Sequence, residues 1–256
     1  MHHILSPNER DSTAEGFCAL TIMTKAPRPG QVKTRLTPLL TAEEAAALNK
    51  CFLRDTAAAI AAVVQGARGV GCYTPVGAEE VYETLFPATF HLIAQRGAHL
   101  DERLILATQD LLAVGFSSVC LIGSDSPTVP ATTFAEAVTF LSTPNDGVVI
   151  GPSHDGGYYL IGLNAVHRRL FDEIDWSTGR VLEQTMARAA EIGLPVHLLP
   201  PAYDVDDRET LRRLCHDLLG TCDDRGEIVA PATSKFLRDF VTREGHERIW
   251  PEKVEA

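Results

Sequence analysis

The chain has 256 residues, with 34 acidic against 23 basic side chains, a net charge of −11 and 45 % apolar residues. That length suits one large α/β domain with a full core, and no linker divides it. The acidic balance argues against a general nucleic-acid binder, and the absence of an apolar run of about 18 residues excludes a membrane-spanning helix.

In chain order, residues 1–16 are polar, with two histidines and no apolar centre. They do not read as a signal peptide, and a flexible N-terminal segment is expected there. Apolar runs predict strands near 17–24, 69–74, 90–94, 117–123, 147–151, 157–163 and 195–199. Helical patterns predict helices near 41–65, 78–86, 99–114, 130–142, 178–192 and 207–219. The first of these opens on a capping box, Thr41 with Glu44, and continues through an alanine-rich stretch. Strand–helix alternation implies a mostly parallel sheet covered on both faces, in one domain over 17–220. No internal repeat is present. The charged extension 221–256 is expected to be partly helical over Ser234–Arg243, packed on the domain or on a second subunit as a homodimer contact. The six cysteines (18, 51, 72, 120, 215 and 222) show no metal or disulfide spacing, and a cytoplasmic setting with reduced thiols fits them.

The stretch Pro27-Arg28-Pro29-Gly30-Gln31-Val32-Lys33-Thr34-Arg35-Leu36 follows the first strand. A glycine-bent loop with cations at 28, 33 and 35 can grip a diphosphate, because backbone N–H groups approach the oxygens and the cations neutralise them. The plain alternative is a solvated basic turn. Val32 stands where a Walker loop needs glycine, and a dinucleotide glycine turn is absent as well. Lys33 and Arg35 are expected to be exposed, so that removing either leaves the free protein's stability almost unchanged.

A second motif, Gly123-Ser124-Asp125-Ser126-Pro127, ends a buried-type strand. Ligands of open α/β sheets lie beyond strand C-termini, which places Asp125 near the first loop, where Mg²⁺ or Mn²⁺ suits one or two carboxylates plus phosphate oxygens. The alternative is an Asx turn before Pro127. A third stretch, Gly151 to Leu160, carries Ser153-His154-Asp155-Gly156-Gly157 between two apolar runs, a hairpin signal. A hairpin alone has no use for His154, Tyr158 and Tyr159 crowded at its tip, whereas a site for a hydroxylated substrate does. His154 is a weaker candidate for a metal. In the fourth piece, Tyr203-Asp204-Val205-Asp206-Asp207-Arg208, either Asp206 or Asp207 caps the next helix, leaving a carboxylate to pair with Asp125.

The segments Lys25–Leu36, Gly123–Pro127 and Gly151–Leu160, with Trp176-Ser177-Thr178, resemble the DUF2064 family of predicted glycosyltransferases, over about residues 17 to 215. Some members of that family are associated with arsenosugar or selenium-linked gene contexts. The resemblance implies a GT-A-like, nucleotide-diphospho-sugar transferase fold: three-layer α/β/α with a mostly parallel sheet. It also implies a nucleotide held by Lys25, Pro27, Gly30, Lys33, Arg35 and Ser124, with substrate contacts from Asp155, Gly156, Gly157, Tyr158, Trp176, Ser177 and Thr178. Metal at Asp125 is part of the same pattern. Val205 to Leu211 is similar to a cytidylyltransferase element that supplies a second ligand, which favours Asp206 over its neighbours, although Asp207, Arg208 and Thr210 depart from it. A further departure is glycine at 123, where many GT-A enzymes carry the first aspartate of Asp-x-Asp.

The expectation is a metal-dependent glycosyltransferase that moves a sugar from a nucleoside-diphosphate-sugar to a small-molecule acceptor. Asp125, Asp155 and Lys33 are the catalytic candidates, with Asp155 holding or deprotonating the acceptor. A nucleotidyltransferase using a nucleoside triphosphate needs the same residues, and a catalytically silent nucleotide-binding module stands as the non-enzymatic alternative.

Overall fold

The computed structural model describes residues 1–37, 39–144, 146–220 and 229–249. Among the described residues eight strands form one sheet: β1 (His3–Ile4), β2 (Cys18–Lys25), β3 (Ala67–Thr74), β4 (His91–Ala94), β5 (Ser118–Ile122), β6 (Val148–Pro152), β7 (Tyr158–Leu163) and β8 (Val196–Leu198). Their order is β1-β4-β3-β2-β5-β7-β6-β8, and only β7 runs against its neighbours. The helices are α1 (Ala42–Ala61), α2 (Leu100–Val114), α3 (Ala131–Leu141), α4 (Val181–Glu191), α5 (Arg208–Leu219) and α6 (Pro231–Glu244).

The layers follow from side-chain alternation along the strands. On β2, Cys18, Leu20 and Ile22 face one core with Leu53 and Ile60 of α1 and Phe134 and Leu141 of α3. Ala19, on the opposite face, joins Leu104 and Leu111 of α2, Leu121 of β5 and Ala189 of α4. Both faces of the sheet are therefore covered. A third apolar cluster joins Phe52 of α1 to Leu211 and Leu214 of α5 and to Leu237 and Phe240 of α6. Helix α6 thus packs on the domain itself. Asp55 of α1 secures its start by accepting the amides of Ala232 (2.9 Å) and Thr233 (2.8 Å). That satisfies two N–H groups a helix otherwise leaves unpaired at its N-terminus.

Several expectations change. Residues 1–16 are not a free segment: β1 pairs with β4, Leu5 donates its amide to Leu92 (2.7 Å), and Leu5 and Ala14 are buried. His3 bonds Asp11 (2.5 Å) and His2 bonds the carbonyl of Phe90 (3.0 Å), so the polar composition serves edge pairing. The helix expected near 78–86 is a 3-10 segment, Glu79–Thr84. The one expected from 178 begins at Val181, because Trp176 to Arg180 form a turn with Ser177 at positive φ. Cys18, Cys51, Cys72, Cys120 and Cys215 are free and buried; Cys222 lies outside the described residues. No helix among the described residues is long and apolar enough to cross a membrane.

Candidate functional site

The loop after β2 turns at Gly30, whose φ of 71° favours glycine, and again at Lys33, which holds a left-handed φ of 50°. This second turn directs the Lys33 side chain inward, beneath the loop. Contrary to the expected exposure, that side chain is only 3 % accessible. Its ammonium lies 2.5 Å from Asp125 Oδ1, 2.9 Å from Asp206 Oδ1 and 2.8 Å from the carbonyl of Val205, with the Phe52 ring 5.3 Å away. Burial works against its charge, yet the carboxylates of Asp125 and Asp206 outweigh that and hold its pKa above the usual lysine value.

Asp125 follows β5, and its carbonyl accepts the amide of Val205 at 2.9 Å. That bond lays the 204–206 segment alongside the β5 loop. Ser124 donates to Asp125 Oδ1 at 3.3 Å. The choice between Asp206 and Asp207 is resolved by the helix: Asp207 caps α5 in a capping box with Thr210, accepting the Thr210 amide at 2.9 Å. Bonds to Thr210 hold the Asp207 carboxyl below the usual range. Asp206 is left to pair with Lys33.

A cleft of about 580 Å³ opens beside this cluster. Asp204 and Asp206 line it with Arg35 of the first loop, while Asp155, Gly157 and Tyr158 come from the β6–β7 connection and Trp176, Ser177 and Thr178 from the turn before α4. Met23, Leu100, Leu104 and Ile161 supply apolar wall. Asp155 Oδ1 accepts the Gly157 amide (2.9 Å), so the Asx-type turn is formed as well as the carboxylate presented. Gly156 is required by packing: a Cβ there would stand 2.2 Å from the Gly179 carbonyl oxygen, which presses the tip against the turn before α4. Burial raises the pKa of the Tyr158 hydroxyl, and the nearby Thr185 hydroxyl opposes this.

Other candidates fall outside this grouping. Lys25 is exposed at the end of β2, Pro27 is buried and Gly30 is exposed; these three do not line the cleft, nor do Lys33, Ser124, Asp125 and Gly156, which adjoin it through Asp206 and Gly157. His154 Nδ1 meets Arg213 at 2.9 Å, and that guanidinium lies over the Tyr203 ring. The histidine is thereby engaged away from Asp125.

Asp204 was not among the expected site residues. Its carboxylate accepts hydroxyl bonds from Ser126 and from Ser153 (3.1 Å), tying the β5 loop to the β6–β7 tip. Burial raises its pKa, the Ser126 bond opposes this, and Asp125, Asp155 and Asp206 add to the rise. The available signal was spacing: residues two apart on an extended segment share a face, so Asp204 accompanies Asp206 while Val205 between them is buried. The apolar wall from Leu100 and Leu104 carried no comparable signal.

As donors for a hard cation, Asp125 and Asp206 are part-exposed carboxylate oxygens on facing loops, with side-chain accessibilities of 35 % and 45 %. Two carboxylates are donors of the type Mg²⁺ or Mn²⁺ takes beside waters and phosphate oxygens, but here both Oδ1 atoms hold the Lys33 ammonium. Among the described residues no group of three or more His, Cys, Asp or Glu side chains is placed to hold a metal ion, so the two carboxylates stand without a third protein ligand.

Residues 56–178 match the model of the family described as "Uncharacterized protein conserved in bacteria (DUF2064)". The chain is 27 % identical over 233 residues to the phosphoenolpyruvate guanylyltransferase of Roseiflexus sp. (strain RS-1), covering 86 % of this chain and 90 % of that protein. A solved structure from Desulfovibrio desulfuricans G20, provisionally named a nucleotide-diphospho-sugar transferase, is 30 % identical with a TM-score of 0.76, over 89 % of this chain and 97 % of the other. A cytidylyltransferase from Leptospira borgpetersenii serovar Hardjo-bovis (strain JB197) is 9 % identical, with a TM-score of 0.50 over 93 % of this chain and 99 % of its own; it shares the fold alone.

Proposed function

The chain belongs to the DUF2064 family, with a nucleotide-diphospho-sugar transferase-like fold, and from that premise we propose that it is a glycosyltransferase moving a sugar from a nucleoside-diphosphate-sugar to a small hydroxyl-bearing acceptor. One observation carries this reading. Asp206, which shares the Lys33 ammonium with Asp125, lines one cleft together with Arg35 of the basic loop, Asp155 and Asp204. Carboxylates repel a phosphorylated acceptor and accept hydrogen bonds from an uncharged one, so this wall favours a hydroxyl nucleophile.

Arg35 and Lys33 would bind the diphosphate and stabilise the charge that develops on it as the sugar departs. Asp155, with Oδ1 engaged by Gly157, would use its other oxygen to hold the acceptor hydroxyl and take its proton. The bond from the anomeric carbon to the diphosphate breaks as the bond to the acceptor oxygen forms. The electron pair leaves with the nucleoside diphosphate. Trp176, Ser177 and Thr178 would border the acceptor. Asp125 and Asp206 would hold Mg²⁺ or Mn²⁺, which when bound supplies positive charge to the leaving diphosphate.

A second reading, nucleotidyl transfer, is favoured by the similarity to the Roseiflexus guanylyltransferase. There the acceptor attacks the α-phosphate of a nucleoside triphosphate and pyrophosphate leaves.

The test is a thermal-shift panel of nucleoside triphosphates and nucleotide sugars with Mn²⁺, followed by product detection with the protecting ligand. Protection by a nucleotide sugar with release of nucleoside diphosphate supports glycosyl transfer. Protection by a triphosphate with release of pyrophosphate replaces it with the second reading. Protection without turnover across an acceptor panel reduces the protein to a silent nucleotide-binding module.

A further inference from the structure

Lys33 occupies an unusual place for a phosphate-gripping residue. An ammonium has three protons to donate, and three acceptors surround this one: Asp125 Oδ1, Asp206 Oδ1 and the Val205 carbonyl. The side chain is 3 % accessible and lies below a left-handed backbone turn, against the Phe52 ring. Both carboxylates proposed for a divalent cation therefore already share one cation of the chain itself, which offsets one of their two charges. A metal ion entering the same oxygens alone would meet a shielded positive charge at very short range, where water screens little.

We infer that Lys33 is the resident counter-cation of Asp125 and Asp206, so that the site takes up a divalent cation together with a nucleoside diphosphate and discriminates against the free ion. The incoming phosphate oxygens supply the acceptors that Lys33 gives up, and its flexible four-carbon stem lets the ammonium transfer from carboxylate to phosphate. Asp125 and Asp206, released by Lys33, would then be free to hold the metal. The ligand recognised is thereby the metal–diphosphate complex. This rests on the proposed metal-assisted use of the cleft, and it holds for glycosyl and nucleotidyl transfer alike.

The decisive experiment titrates Mn²⁺ into nucleotide-free protein and follows free Mn²⁺ by electron paramagnetic resonance. Lys33→Met keeps an unbranched side chain, one atom shorter, and removes its charge. It should bind Mn²⁺ about ten-fold or more tightly than wild type, as expected when a close like charge is removed. Wild type should reach comparable affinity only with UDP, GDP or CDP added. A second measurement needs no variant. Acylation of Lys33 by an amine reagent, mapped by mass spectrometry, should be slow in the free protein and rise when excess Mn²⁺ displaces the ammonium. Equal Mn²⁺ affinity of the two proteins without nucleotide, or a Lys33 acylation rate that saturating Mn²⁺ leaves unchanged, overturns the inference while the proposed transfer stands. No Mn²⁺ binding by either protein, even with all three diphosphates, overturns the inference and also removes the metal from the proposed function.

Discussion

Val205 donates its amide to the carbonyl of Asp125 across 2.9 Å, and this bond brings Asp206 to the same ammonium that Asp125 contacts. Two loops far apart in the chain are thus registered by backbone, and Lys33 closes the arrangement from a third.

The two cations of the first loop should separate by burial. Arg35 is exposed and lines the cleft, whereas Lys33 is enclosed. Arg35→Ala should weaken nucleotide binding by about 1.5–3 kcal/mol with an unchanged urea midpoint. Lys33→Ala should show a similar binding loss and in addition lower unfolding free energy by about 1–3 kcal/mol, since two carboxylates lose their counter-ion. Calorimetric titration and urea unfolding read the two effects. Equal stability of both variants would contradict the burial argument.

Asp125→Asn preserves shape and removes charge. Metal-dependent nucleotide binding and turnover should both collapse, and Asp206→Asn should give a milder loss of the same kind. Turnover that persists in excess chelator would remove the metal from both residues.

Asp155 already forms a turn bond that asparagine can also make. Asp155→Asn should therefore leave stability and donor affinity near wild type while cutting transfer roughly 10²–10⁴-fold, the range for losing a general base. Normal turnover would leave Asp155 a turn residue, and lost donor affinity would place it in the nucleotide site.

Bonds from the Thr13 side chain and amide, with one from His3, pull the Asp11 carboxyl down from its ordinary value to about 2. A depressed carboxyl contributes stability that is present above about 4 and lost as pH falls toward about 2. Asp11→Ala should therefore expose residues 1–16 to pepsin faster than wild type at pH 4, with the two proteins converging near pH 1.5. A difference that persists at the lower pH would assign the effect to packing and not to ionisation.

Much of this was legible from residue pattern. The seven main strands, the Thr41–Glu44 capping box and the hairpin ending at Gly156-Gly157 are local consequences of apolar runs, capping chemistry and glycine placement. The placing of Asp125 beyond a strand end followed from the general geometry of open α/β sheets. Tertiary structure decided the rest. That Asp207 and not Asp206 caps α5 depends on where the extended backbone enters the helix, which sets Asp207 to accept the Thr210 amide. Asp204 becomes part of the site only because Ser126 and Ser153, from two other loops, converge on its carboxylate. The residues of 1–16 look solvated in isolation and become ordered by an edge strand of the sheet that pairs with them. Above all, a basic loop reads as exposed because charge is costly to bury. Lys33 is buried since two carboxylates and a carbonyl, brought in from distant segments, compensate that cost together. Pattern along a chain reports periodicity and local bonding; which charges end up facing one another is set by the loops that the packed sheet brings to one end.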